Sequence, residues 1–368
     1  MTYLINDSST TSKRSLWPEE TRGLWVVGAW ESQLKLSDNR VYDDWASGLG
    51  SNTLGYHRFT GYLDSDFHPA TSLPWQIEHD FAESFCEAMG TEAVRFFKSG
   101  SDAVSCAVRL ARAYTDKKLI ITFDQDYHGT GDWFGPALWT RGGIVDYRHI
   151  IMLAFGKELN KTHPSILSEA AAIVVEPAPK AIIEPPTGWL NHLREVCDEH
   201  GIILISDEVI LGYRHALDGY LRSAGVRADI SCYGKAMAQG AALSACTGRR
   251  DILDILRDKV HFSGTNNGEP LPLHIAQATL REYLDQDICG KLNAKGMRLK
   301  LLLNSSGFKT KGLNSRFEVE GWSMEGTRFM FERGILFPGW CSMAVNHTDE
   351  QMRRLVDALV DYRSNGNG

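Results

Sequence analysis

A chain of 368 residues with 43% hydrophobic and 23% charged residues has the make-up of an ordinary globular protein, and its length exceeds what a single core usually serves, so two domains are expected. A net charge of −7 argues against a nucleic-acid or anionic-membrane partner, since those need a basic footprint. No apolar run approaches bilayer length, Met1 to Arg22 shows no signal-peptide core, and the seven cysteines lack any C-x-x-C pair, which predicts reduced thiols in a cytoplasmic protein and no zinc or other metal site.

In chain order, the polar stretch Ser8 to Lys13 reads as loose. Phe96-Phe97-Lys98-Ser99-Gly100-Ser101 leads into a helix expected over Asp102 to Tyr114, with Ala103, Ala107, Leu110, Ala111 and Tyr114 on one face. Leu119 to Phe123 and Ala172 to Val175 read as strands, the second ended by Glu176-Pro177. Trp189 to His200 has a helical period and stops at Gly201; Ile202 to Ile205 follows as a strand. Short unbroken apolar strands alternating with helices predict a mostly parallel sheet covered on both faces, which binds ligands beyond the carboxyl ends of its strands. Val319, Phe329, Ile335 and Phe337 read as strand material of a second, α+β lobe. There Thr348 to Gln351 forms a capping box, and Met352, Leu355, Val356, Leu359 and Tyr362 line one face of a last helix. Ser364 to Gly368 reads as a frayed tail. The expected division is a 1–55 segment joining the small domain, a 56–275 large domain and a 276–368 small α+β domain.

The segment Ile203 to Val209, with Asp207 at the end of the strand, is followed by Tyr233-Gly234-Lys235. A lysine amine and a strand-terminal acid are what a pyridoxal phosphate enzyme needs, the amine for a Schiff base and the acid for the ring nitrogen. Alone, the pair fits a solvated aspartate and an unrelated surface lysine better, since both are common. Ser99-Gly100-Ser101 at a helix start suits a phosphate, or a plain N-cap. Tyr127 in Tyr127-His128-Gly129 suits stacking on a planar ring, or ordinary loop packing.

Together, Ser99-Gly100-Ser101, Tyr127-His128-Gly129, Glu176-Pro177, Asp207-Glu208-Val209, Gly212-Tyr213-Arg214, Gly234-Lys235 and Gly264-Thr265 stand in the order that resembles the class III pyridoxal-phosphate-dependent aminotransferases. The nearest likeness is to the glutamate-1-semialdehyde aminomutase branch. That resemblance implies an α/β architecture of fold type I: a large domain with a mostly parallel seven-stranded sheet between helices, plus a smaller α+β domain. It implies Lys235 as the Schiff-base lysine and proton shuttle, and Asp207 as partner of the pyridinium nitrogen. Ser99, Gly100 and Ser101 would hold phosphate, Tyr127 and Val209 the two ring faces, and His128 and Glu176 would complete the cofactor contacts. Thr265 would reach the phosphate of a partner subunit, implying a homodimer with shared active sites. The implied small-molecule partners are an amino donor and a carbonyl acceptor. Substrate-contact candidates are Trp30, Ser47, Arg316 and Trp340; Arg316 can pair with a carboxylate, or stand solvated on an exposed strand.

Two departures stand out. After Lys235 only Gly240 remains of the family's glycine-rich run, in Ala236-Met237-Ala238-Gln239-Gly240. Gly334 to Pro338 leads into Gly339-Trp340-Cys341-Ser342 without the acidic loop of the aminomutases, which favours an aminotransferase. An aminomutase, racemase or decarboxylase, or a catalytically silent relative, are the alternatives on the same scaffold.

Overall fold

The computed structural model describes residues 16–56, 71–131, 148–159 and 162–364; the stretch 8–13 and the tail after Ser364 lie outside them. The chain divides into two units, one of residues 61–286 and one of residues 1–60 with 287–368. The helix Pro270–Asp285 runs unbroken across the 275/276 junction suggested by the sequence. The division falls behind it, where the side chain of Asp287 accepts the N–H of Gly290 at 2.8 Å and starts the next helix.

The strands in chain order are β1 (Val26–Trp30), β2 (Gln33–Leu36), β3 (Val41–Asp44), β4 (Ala93–Phe97), β5 (Leu119–Phe123), β6 (Ile150–Leu153) and β7 (Ala170–Val175). They continue with β8 (Ile203–Asp207), β9 (Ile230–Tyr233), β10 (Ser244–Gly248), β11 (Thr310–Leu313), β12 (Arg316–Val319), β13 (Ile335–Leu336) and β14 (Trp340–Ser342).

The larger unit is built on one seven-stranded sheet in the order β4-β10-β9-β8-β7-β5-β6. The pairs from β6 through β9 are parallel, and β10 runs antiparallel to both β9 and β4. This is the mostly parallel sheet that the apolar runs predict. Every residue of β7 and of β8 is buried, because the pleat sends alternate side chains into two different cores. Ala172, Val174, Ile203 and Ile205 pack with Ala103, Ala107, Leu110 and Ala111 of the helix Gly100–Thr115. Ile173, Val175 and Leu204 pack with Leu193, Val196 and Cys197 of the helix Trp189–His200 on the other face. Each such aliphatic side chain contributes about 1.5–3 kcal/mol by leaving water, so the centre of the sheet is the most rigid platform available for a site. β8 runs two residues beyond the Ile202–Ile205 segment read from sequence, which makes Asp207 its last residue; Glu176 directly follows β7.

The smaller unit holds a four-stranded sheet, β1-β2-β3-β13, and a three-stranded sheet, β11-β12-β14. Its last helix, Asp349–Tyr362, starts with the expected capping box: Thr348 accepts the Gln351 N–H at 3.2 Å and Gln351 accepts the Thr348 N–H at 2.9 Å. Phe329 is not strand material. It lies in the helix Met324–Glu332, where Ser323 caps Gly326 at 3.1 Å and Thr327, Met330 and Phe331 share the buried face. Phe337 lies just past β13, while Val319 and Ile335 are in strands as expected. Among the described residues no helix is long and apolar enough to cross a membrane.

Candidate active site

The carboxyl edge of the large sheet gathers the charged residues of this unit's motifs. Asp207, at the end of β8, is 4% exposed; its Oδ1 accepts the Val209 N–H at 3.1 Å, and its Oδ2 lies 2.8 Å from His128 Nδ1. His128 comes from the loop after β5 and is buried, with its other nitrogen, Nε2, 3.3 Å from Asp126 Oδ2. Asp126 Oδ2 also accepts the Glu176 N–H at 3.2 Å, and Glu176 in turn accepts the N–H of Tyr127 at 3.4 Å and of Lys180 at 2.8 Å. Three strand ends, β5, β7 and β8, are thereby tied through side-chain hydrogen bonds.

Burial sets the charges here. It pushes Glu176 up to about 8, with the nearby Asp207 and Asp126 adding to the rise, and it pushes Asp126 up to about 6 against the pull of His128. For His128 burial acts the other way, yet Asp126, 3.3 Å from Nε2, and Asp207, bonded to Nδ1, outweigh it and hold the imidazole at about 10. Glu208, pushed up to about 7 by burial, serves the backbone: it accepts the N–H groups of Tyr220 at 2.8 Å and Leu221 at 2.9 Å and the Ser206 hydroxyl at 2.8 Å. A Cβ on Gly219 would lie 2.4 Å from its Cδ, so the chain passes Glu208 only as glycine.

Ser99 caps the helix Gly100–Thr115, accepting the Asp102 N–H at 3.2 Å, so its hydroxyl is committed to the cap. Ser101 Oγ accepts the Thr130 N–H at 3.2 Å, and a Cβ on Gly129 would lie 2.1 Å from the same oxygen. The Tyr127-His128-Gly129 loop therefore lies directly on the helix N-terminus. Val209 closes the arrangement: a Cβ on Gly100 would stand 3.0 Å from its Cγ1, and one on Gly234 3.4 Å. Lys235 follows at the head of the short 3-10 turn Lys235–Ala238, with φ of 45°, a left-handed conformation that costs a non-glycine residue about 1–3 kcal/mol and is held by the burial of Ala236, Met237 and Ala238. Tyr127 is 43% exposed, leaving an aromatic face open at this edge.

Ser99, Gly100, Ser101, Tyr127, His128, Glu176, Asp207, Val209 and Lys235 are thus linked at one edge of one sheet. Thr265 is not linked to them: it is exposed in the turn whose Asn267 N–H bonds Gly264 O at 3.0 Å. Asp126 was missed from sequence. Its signal was the Asp-x-His spacing, which in extended backbone directs both side chains to one side. Lys98 was also missed; it pairs with Glu269 at 2.9 Å, bracing the start of the helix Pro270–Asp285 against the end of β4.

In the smaller unit, Ser47, Arg316 and Trp340 meet. Arg316 is not a solvated strand residue but 8% exposed, its guanidinium 4.2 Å over the Trp340 ring and its Nη1 donating to Ser342 Oγ at 3.1 Å. Ser47 Oγ donates to the Ser342 carbonyl at 2.8 Å. Trp30 is 37% exposed and donates to Gln33 instead.

Residues 146–315 match the family model for class-III aminotransferases. The chain is 33% identical to a glutamate-1-semialdehyde 2,1-aminomutase of Pelodictyon phaeoclathratiforme over 301 residues, covering 75% of this chain and 69% of that protein. The chain belongs to the class-III aminotransferase family. A second aminomutase of that name, from Chlorobium chlorochromatii, is 32% identical with the same coverage of 75% and 69%. The fold superposes on the β-phenylalanine aminotransferase of Variovorax paradoxus with a TM-score of 0.87 at 20% identity, covering 99% of this chain and 91% of that one. It also superposes on a glutamate-1-semialdehyde aminomutase of Pseudomonas aeruginosa, with a TM-score of 0.86 at 17% identity and coverage of 98% and 92%.

The chain is therefore a pyridoxal-phosphate-dependent enzyme of this family, acting on small-molecule amino donors and acceptors. The residues present fit that cofactor. A buried carboxylate stands at the sheet edge, a helix N-terminus with a serine hydroxyl faces the same edge, and a Cβ at Gly100 would crowd Val209.

Proposed function

We propose that this class-III enzyme works as an aminotransferase, moving an amino group from a donor to a carbonyl acceptor in two half-reactions, with Lys235 as the covalent anchor and proton carrier. Pyridoxal phosphate, when bound, supplies the electron sink that labilises bonds at the substrate Cα. Asp207 would meet the ring nitrogen and keep its proton in place; the N–H groups of Gly100 and Ser101, the Ser101 hydroxyl and the helix dipole would take the phosphate. Val209 and Tyr127 would pack against the cofactor ring, and Glu176, whose carboxyl burial pushes well above its usual range, would stand beside it. Lys235 accepts and returns the proton between the substrate Cα and the cofactor.

The observation that carries this reading is the convergence on Val209. Its side chain lies against Gly100 at the helix start and Gly234 before Lys235, and its backbone N–H is bonded by Asp207 at the strand end. These are the three places where phosphate, ring nitrogen and aldehyde must be held.

Thr265, exposed on its turn, is proposed to serve the phosphate of a second copy, making the working unit a homodimer. Arg316, stacked on Trp340 and anchored to Ser342, is proposed as a substrate-carboxylate contact, with Ser47 beside it. The free cysteines Cys106, Cys197, Cys232, Cys246 and Cys341, all buried, suit a reducing compartment, and we place the enzyme in the cytoplasm.

Aminomutase activity is the second reading, favoured by the names of the sequence relatives. Against it, the segment after Pro338 forms β14, paired residue for residue with β12 as Arg316↔Ser342 and Phe317↔Cys341, where the aminomutases would carry an acidic loop.

Single-turnover mixing of the loaded enzyme with individual amines tests the choice. Transamination releases stoichiometric aldehyde or ketone with loss of the visible absorption of the lysine-bound cofactor. An isomerised amine without net loss of that absorption would instead establish the aminomutase. Lys235→Ala should remove the absorption and lower turnover by at least about 10³-fold.

A further inference from the structure

The assignment of Asp207 leaves the carboxylate behind it without a role. Asp126 is 2% exposed, and its Oδ2 lies 3.3 Å from His128 Nε2 while also accepting the Glu176 N–H. The opposite nitrogen of the same ring, Nδ1, lies 2.8 Å from Asp207 Oδ2. An imidazole whose Nδ1 bonds one carboxylate and whose Nε2 lies 3.3 Å from a second is best matched to two ionised carboxylates as the imidazolium, with a proton on each nitrogen. In the neutral ring one nitrogen lone pair would face a carboxylate lone pair in a site that excludes water.

We propose that Asp126 is a positioning residue of the cofactor site: it fixes His128 as an imidazolium, so that Asp207 is held by a permanent positive charge on its buried side. The proposal rests on the cofactor reading for its consequence, but the charge state of His128 stands without it.

The surrounding groups agree. From the loop after β5 come Asp126 and the Tyr127 phenol, whose ionisation is pushed up by burial and by Asp207. From the end of β7 comes Glu176, which burial and the charges of Asp207 and Asp126 push well above the usual carboxylate range, away from a third negative charge. From β8 comes Asp207, and beside it on β9 stands Cys232, whose thiol burial keeps neutral. Lys235 follows β9. Against the imidazolium stand two carboxylates, Asp126 and Asp207. By themselves the imidazolium and these two carboxylates sum to one negative charge, which a protonated ring nitrogen at Asp207 would cancel. A neutral His128 would leave the same pocket one charge more negative, a costly state in a dry interior. His128 lies at about 10, consistent with a charge that survives the whole physiological range.

The test is a histidine NMR titration of the full-length protein without cofactor, its histidines isotope-labelled and His128 assigned with His128→Gln. In the wild type the His128 ring carbons should report imidazolium up to at least about pH 8.5. In Asp126→Asn, which keeps the shape and removes the charge, the midpoint should fall by at least about 1.5 pH units. An unchanged midpoint in Asp126→Asn, even with lowered thermal stability, would overturn the proposal and reduce Asp126 to a packing residue. If Asp126→Asn does not fold, Asp126→Ser takes its place, and a wild-type His128 that is already neutral near pH 8 overturns the proposal without any variant. In cofactor-loaded protein, Asp126→Asn should shift the pH profile of the visible absorption in parallel. A chain that fails to take up pyridoxal phosphate would defeat the cofactor reading while leaving the NMR result to decide the role of Asp126.

Discussion

A Cβ on Gly100 would stand 3.0 and 3.1 Å from the two methyl groups of Val209, so the helix start and the segment beyond Asp207 meet at a separation that glycine alone allows without adjustment. Two effects compete in Gly100→Ala. Alanine gains up to about 1 kcal/mol of helix propensity, while crowding Val209 costs about 1–3 kcal/mol. Thermal stability should therefore fall only slightly. Cofactor affinity should fall about tenfold or more, because Val209 is proposed to border the cofactor ring. Equilibrium binding followed by absorbance checks this; unchanged affinity would mean that Val209 does not border the cofactor.

The two serines flanking Gly100 separate a cap from a ligand contact. Ser99→Ala should cost about 1 kcal/mol of stability through the lost bond to Asp102, with little change in cofactor affinity. Ser101→Ala should do the reverse, weakening cofactor binding about tenfold and loosening the Thr130 N–H. Parallel melting and binding curves decide; if Ser99→Ala gave the larger binding loss, the phosphate contact would belong to Ser99.

Stability of the cofactor-free protein should fall as pH rises. Burial raises Glu176 to about 8 in the folded chain, so its contribution is full below the ordinary glutamate value of 4.5 and is lost as pH climbs through about 8. Glu208 at about 7 and Asp126 at about 6 act in the same direction. His128, raised to about 10, keeps its contribution below its ordinary 6.5 and loses it on the way to about 10. The melting temperature should thus drop by at least about 3 °C between about pH 6 and pH 9. Glu176→Gln should flatten the part of the curve below about pH 8; a wild-type melting temperature that rises with pH would contradict the assignment.

Arg316 provides a test of substrate class. Lysine in its place keeps a positive charge but loses the planar fork that stacks on Trp340. Arg316→Lys should raise KM for carboxylate-bearing amines about 10–100-fold and leave KM for amines without a carboxylate unchanged. Equal effects on both classes would make the Arg316–Trp340 stack a structural feature of the smaller unit.

By itself the sequence determined the sheet, the cofactor family and most of the residues that meet at the sheet edge. Continuous apolar runs such as Ala170 to Val175 have few structures open to them, and the order of Ser99-Gly100-Ser101, Tyr127-His128-Gly129, Asp207 and Lys235 is specific as a set. Phe329 was misread because a short apolar run fits helix and strand alike until a cap is located, and here that cap is Ser323. Only the tertiary structure decided which charges face one another. Asp126, His128, Glu176 and Asp207 come from the ends of three strands, separated by dozens of residues, and their protonation depends on a shared dry environment that no local pattern encodes. The same holds for Arg316, whose burial over Trp340 follows from the register of β12 on β14. Residue types follow from local chemistry, whereas charge states follow from what the fold brings within 3 to 4 Å, and that is set by packing.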